Sequence, residues 1–194
     1  MFPLDVPHQA AWQHRTARVG FETVFIHAPA SGGWQLDGCT TAVEDGEPFT
    51  VSYTIEVDER WRTRRAHVRG RSSSGEHERR LESDGEGRWW VDGAPATHLD
   101  GCPDVDLESS ACTNTFPVHR LALGVGSSAD AAAAWVRAAD LRVERLEQHY
   151  TRIDDHGGRP SFDYAAPSED FASRLVFDRA GLVLDYPGIA NRVL

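Results

Sequence analysis

Residues 49–58 alternate without interruption: Phe49, Val51, Tyr53, Ile55 and Val57 fall on one side, and Thr50, Ser52, Thr54, Glu56 and Asp58 on the other. Successive residues of a strand point to opposite faces, so this period of two predicts a strand with one buried and one wet face. Residues 22–27, ETVFIH, predict a shorter strand ended by the loop PASGG, and 33–43 is expected to return beside it. Downstream the pattern weakens. In ERWRTRRAHVRGR, Trp61, Thr63, Arg65, His67 and Arg69 would share one face of a strand, and Arg62, Arg64, Ala66 and Val68 the other. Neither is an ordinary core face, so such a strand would be wet on both sides or would line a polar cavity. SDGEG at 83–87 predicts a turn, because Asp-Gly is a strong hairpin signal, and VDGAP predicts another. Between them Trp89 and Trp90 must face opposite ways.

The second half is mixed. The alanine-rich stretch 127–153 has the propensity of a helix, with Ser128 as a possible cap, yet Leu141 and Val143 alternate, as do Leu146, Gln148 and Tyr150. We expect residues 142–152 to be extended, since tertiary context commonly outweighs a few tenths of a kcal/mol per residue of propensity. HGGRPSFDYAAPSED reads as loop, and 171–188 as a closing hairpin with DRAG at its turn and Pro187-Gly188 at its stop. Counting these segments predicts about nine or ten strands joined mostly by short connections, which form antiparallel meanders. The expected class is all-β or β-rich. A long sheet curls to bury its apolar face, so a barrel or half-barrel with an interior cavity follows.

Length and composition fit a single soluble globular domain over 1–194. No apolar run approaches the roughly 20 residues that span a bilayer. The opening MFPLDVPHQAAWQHR lacks the basic start and apolar core of a secretory signal, so cytoplasmic residence is expected. Cys39, Cys102 and Cys112 are too few and too scattered for a disulfide framework or a zinc site. The net charge is -10, and all 20 basic residues are arginine. Codon usage accounts for that bias, and so does recognition of carboxylate, phosphate or sugar oxygens by the planar guanidinium. An acidic chain without a basic tail is a poor nucleic-acid binder and a poor match for an anionic membrane.

Residues 99–121, LDGCPDVDLESSACTNTFPVHRL, concentrate the candidate chemistry. Asp100, Asp104 and Asp106 are followed by Asn114, two threonines and Arg120, with a strand-like run at the end. Short polar groups beside apolar ones mark a partly enclosed space in which each polar group needs a partner. The aspartates have no calcium-loop spacing, the nine histidines form no HxH or HExxH pair, and GVGSSAD lacks the lysine of a phosphate loop. No metal or cofactor is implied.

LDGCPDVDL, TNTFPVHRL, LEQHYTRI and GLVLDYPGIANR occur in this order and, with the upstream WRTR, resemble the bacterial family named "Putative glycolipid-binding" over roughly residues 12–192. The chain departs from the family pattern at Ser110-Ala111, where Thr-Pro is common, and at His119, where arginine is common. The resemblance implies a large antiparallel sheet curled into an incomplete barrel around a few short helical turns, similar to lipoprotein carriers. It implies a small amphiphilic ligand, a glycolipid or lipid. Transferred residue by residue, it places Arg62, Arg64, Asp100, Asp104, Asp106, Asn114, Arg120, Tyr150, Arg152 and Tyr186 around the cavity. Buried Asp–Arg pairs can equally pin a sheet corner, and Asn114 can simply make a turn. Two functions follow: a binding protein for an amphiphile, or a hydrolase using the Asp/Asn/Arg cluster.

Overall fold

The alternating segment 49–57 lies in the middle of a meander. In the computed structural model, which describes residues 6–194, eight strands pair antiparallel in sequence: β1 Gln9–His14, β2 Val19–His27, β3 Trp34–Glu44, β4 Glu47–Val57, β5 Thr63–Ser72, β6 Gly75–Ser83, β7 Trp89–Val91 and β8 Ala94–Pro95. Residues 1–5 of the opening stretch weighed above as a signal lie outside the described residues. Phe49, Val51, Tyr53, Ile55 and Val57 are all buried, as the period of two predicts.

The chain then crosses the concave side of this sheet. It forms β9 Asp104–Leu107 and α1 Thr115–Leu121, joins the edge of the large sheet briefly as β10 Ser128–Asp130, and continues as β11 Ala133–Val136 and β12 Val143–Leu146. It returns to the large sheet as β13 His149–His156, β14 Arg159–Ala166, β15 Phe171–Phe177, β16 Val183–Tyr186 and β17 Ala190–Arg192. β17 pairs with β1 and so joins the two meanders into one 14-stranded sheet, with β10 and β8 at its unpaired edges. The sheet is open, a curl rather than a closed barrel. A three-stranded layer, β12-β11-β9, with β9 and β11 parallel, lies inside the curl.

The core shows how that inner layer is held. Trp12, Ile55, Val68, Leu81 and Trp89 of the first meander pack with Leu99, Leu107, Phe116 and Val136 from the crossing segment. Tyr150, Phe162, Leu175 and Phe177 of the second meander pack with Val118, Trp135 and Leu146. Each fully buried aliphatic or phenyl side chain contributes roughly 1.5–3 kcal/mol. The crossing segment is therefore fixed from both sides.

Three local expectations change. β5 has a core face after all. Glu56 pairs with Arg65 and Val57 with Thr63, so Arg64 is an extra, bulged residue. The bulge shifts the phase and turns Thr63, Ala66 and Val68 inward while Arg65 and Arg69 stay outside. The strand-like end of the 99–121 segment is a helix, α1, with Pro117 in its first turn, where a missing N–H costs nothing. The segment read as loop contains β14. His156 pairs with Arg159 across Gly157 and Gly158, whose φ values of 60° and 74° suit the left-handed turn of a two-residue hairpin. One expectation holds against helical propensity: 142–152 is extended, as β12 and the start of β13, and the alanine-rich stretch before it forms the strands β10 and β11. Among the described residues no helix is long and apolar enough to cross a membrane.

Candidate ligand-binding cleft

Where the inner layer meets the second meander, packing is incomplete and a cleft of about 200 Å³ opens. Strand register builds its floor. The parallel pairing of β9 with β11 sets Asp106 beside Trp135. Thr113 Oγ1 donates to Asp106 Oδ1 at 2.6 Å, and Gln148 Nε2 donates to Oδ2 at 2.8 Å. Burial raises the Asp106 carboxyl above the usual range, against the pull of these two bonds. Tyr150 Oη donates to Asn114 Oδ1 at 2.8 Å and so orients the amide that faces the cleft.

β14, β15 and β16 supply the aromatic wall. The rings of Tyr164, Phe171 and Tyr186 lie 6.0 to 6.1 Å apart, each edge-on to the next. The Arg137 guanidinium covers Trp135 at 4.0 Å from the ring centre. It pairs with Glu108 at 3.1 Å and Glu169 at 3.6 Å, so both of these cleft carboxylates have a cation. Arg18 closes the other end. Its Nη1 donates to the Glu108 carbonyl at 2.8 Å, and its Nε lies 3.4 Å from Glu44.

Behind the floor sits the pair Asp104–Arg120, two-pronged, with its shortest bond at 2.7 Å. Burial pushes Asp104 up to about 6, although the Arg120 charge pulls it down. Glu22 is fully buried on β2 and takes hydrogen bonds from Tyr53 Oη at 2.7 Å, the Ala111 amide at 2.7 Å and Ser110 Oγ. Burial again raises its carboxyl. Ser110 lines the cleft, so Glu22 stands one hydrogen bond behind it.

Of the residues expected around a cavity, Asp106, Asn114 and Tyr186 line this cleft, and Asp104, Arg120 and Tyr150 lie directly behind it. Four lie elsewhere. Arg62 donates to the Gly85 carbonyl at 2.5 Å, and Arg64 stands 4.0 Å from Asp58, both over an outer depression. Asp100 is exposed and offers its backbone carbonyl to Arg145 at 2.6 Å. Arg152 donates to the carbonyls of Ile153 and Ser161 and to Asp155, and serves the β13–β14 hairpin. Trp135, Tyr164, Phe171, Arg18 and Glu22 had not been singled out. Only Glu22 left a legible signal: it shares the apolar face of Val24 and Ile26. Among the described residues no group of three His, Cys, Asp or Glu side chains is placed to hold a metal ion. Wider hollows lie away from this cleft, one of about 500 Å³ beside Val43, Pro48 and Phe49, whose lining holds no buried carboxylate or amide.

Residues 9–192, nearly the whole described chain, match the family model described as "Putative glycolipid-binding". The chain belongs to this family. A crystal structure of a DUF1089 family protein from Pseudomonas aeruginosa superposes with a TM-score of 0.80 at 30% identity, over 94% of this chain and 95% of that one. A β-barrel-like protein of the domain of unknown function DUF1849, from Brucella abortus, shares the fold alone, with a TM-score of 0.60 and 11% identity over 99% of this chain and 96% of that one. No curated protein matches the chain. The family match and the open curl agree with the fold implied by the TNTFPVHRL and DYPG motifs.

Proposed function

We propose that the cleft binds the polar headgroup of a glycolipid or similar amphiphile and performs no chemistry on it. The observation that carries this reading is the mixed lining of the cleft. Tyr164, Phe171 and Tyr186 supply aromatic rings, and Asp106, Asn114 and Ser110 supply polar groups. A sugar ring has the same two characters, with C–H faces for aromatic rings and hydroxyls for acceptors. The family description supports the same class of ligand.

Size divides the ligand. A cleft of about 200 Å³ is smaller than the roughly 300–1,000 Å³ of sites that enclose a drug-sized molecule. It suits a headgroup. An elongated cavity for a dozen acyl carbons is not what the inner layer leaves open, so the tail would run from the rim near Phe171 and Ile189. Titration with octyl glycosides, read by tryptophan fluorescence, tests the reading. Saturable binding that perturbs Trp135 is expected, and an unsaturable response would overturn it.

One observation favours the hydrolase reading: Asp106 and Glu108 both line the cleft in unlike surroundings, one without a cation and one paired with Arg137. Paired carboxylates with separated proton affinities serve acid and base roles in glycoside cleavage. Release of free sugar from the same octyl glycosides, absent in Glu108→Gln, would establish it.

A further inference from the structure

Every cleft carboxylate but one has a cation. Glu108 and Glu169 share Arg137, and Glu44 at the edge faces Arg18. Behind the floor, Asp104 is held by Arg120. Of the carboxylates that line the cleft, Asp106 alone is met only by neutral donors, the Thr113 hydroxyl, the Gln148 amide and the Leu107 backbone amide, and no ion pair to it exists among the described residues. A carboxylate withdrawn from water without a counter-charge is unfavourable. Oδ1 accepts from Thr113 and Oδ2 from Gln148, and a carboxylate offers about four lone-pair sites in all. The same cleft is lined by the Tyr164, Phe171 and Tyr186 rings, and aromatic faces attract cations.

We infer that the headgroup bound here carries a protonated amine, which pairs with Asp106 against the ring cluster of Tyr164, Phe171 and Tyr186. The inference rests on the headgroup-binding reading and narrows its ligand to an amino sugar. Arg18 also lines the cleft but makes no ion pair with Asp106: its Nη1 donates to the Glu108 carbonyl, and its Nε lies 3.4 Å from Glu44. An anionic headgroup is disfavoured beside Asp106, which has no counter-charge, whereas Glu108 and Glu169 are paired with Arg137. The competing way to relieve Asp106 is a bound proton, and burial favours one. A proton gives no preference between a charged and a neutral ligand.

Four probes separate these cases by calorimetry near neutral pH: octyl β-glucoside, octyl 2-amino-2-deoxy-β-glucoside, its N-acetyl derivative, and 2-(octylamino)ethanol. The amino glucoside is expected to bind at least tenfold more tightly than the glucoside or the N-acetyl compound. Asp106→Asn should abolish that preference, because its carboxamide can still accept from Gln148 and donate to Thr113 but carries no charge to pair with the amine. The wild-type comparison needs no variant, so a poorly folded Asp106→Asn leaves the inference open to refutation. Equal affinity for charged and neutral sugars overturns the amine and leaves headgroup binding intact. A preference that survives in Asp106→Asn also overturns it. If 2-(octylamino)ethanol binds as well as the amino glucoside, the amine is upheld and the sugar is not. Binding of none of the four overturns both.

Discussion

Arg120 and Asp104 form a two-pronged pair beneath the cleft: Nη2 meets Oδ2 at 2.7 Å, and Nε approaches Oδ1 at 3.2 Å. The side chains are 14% and 3% exposed, so neither charge has water to fall back on. The pair ties the last turn of α1 to β9 and holds the inner layer in one register. Removing one partner strands the other, and Arg120→Ala is expected to destabilise the protein by about 3–5 kcal/mol. Urea unfolding checks this, and a wild-type midpoint would refute the role.

Tyr53 reaches Glu22 across the strand between them because Gly38 has no side chain. A Cβ at Gly38 would lie 2.1 Å from the Tyr53 ring. Tyr53→Phe should cost about 2 kcal/mol, the range of a hydrogen bond to a charged acceptor. Gly38→Ala should cost at least as much by displacing the ring. Denaturant midpoints of the two variants test the arrangement.

His14 is buried, and neither ring nitrogen makes a hydrogen bond of good geometry. Burial, helped by the Arg18 charge, lowers it to about 4. In the unfolded chain it titrates near 6.5. As pH falls from about 6.5 to about 4 the unfolded state takes up the proton first, so His14 withdraws roughly 3 kcal/mol of stability over that window. Asp104, raised to about 6, acts in the opposite sense, and its contribution declines as pH rises from about 4 to 6. His14→Leu should equal or exceed wild-type stability at pH 7 and lose less of it by pH 5. Urea titrations at the two pH values read both effects.

Ligand affinity should divide the expected site residues by position. Phe171→Ala, at the cleft rim, is expected to weaken octyl glycoside binding about tenfold, or 1.4 kcal/mol. Arg64→Ala and Arg152→Ala should leave it within about twofold, since both side chains serve other parts of the sheet. A large loss in either arginine variant would relocate the site.

Much of the fold was legible because its signals are local. The alternation of 49–57 needs only the period of a strand, and the hairpin at 171–188 only its turn residues. The family motifs led to Asp104, Asp106, Asn114, Arg120, Tyr150 and Tyr186, which the fold gathers at or behind one cleft. The same motifs named Arg62, Arg64, Asp100 and Arg152, which it does not. Other features depended on partners distant in sequence. The bulge at Arg64 takes its phase from β4, and a one-residue shift exchanges inside for outside. The alanine-rich 127–136 becomes β10 and β11 because β13 and β9 lie beside it, and their ladders outweigh helical propensity. The aromatic wall draws on β14, β15 and β16, and Asp106 reaches it from β9. A period along the chain reveals which face a residue takes; which residue from another strand stands opposite is decided by how the curl closes over the segment it buries.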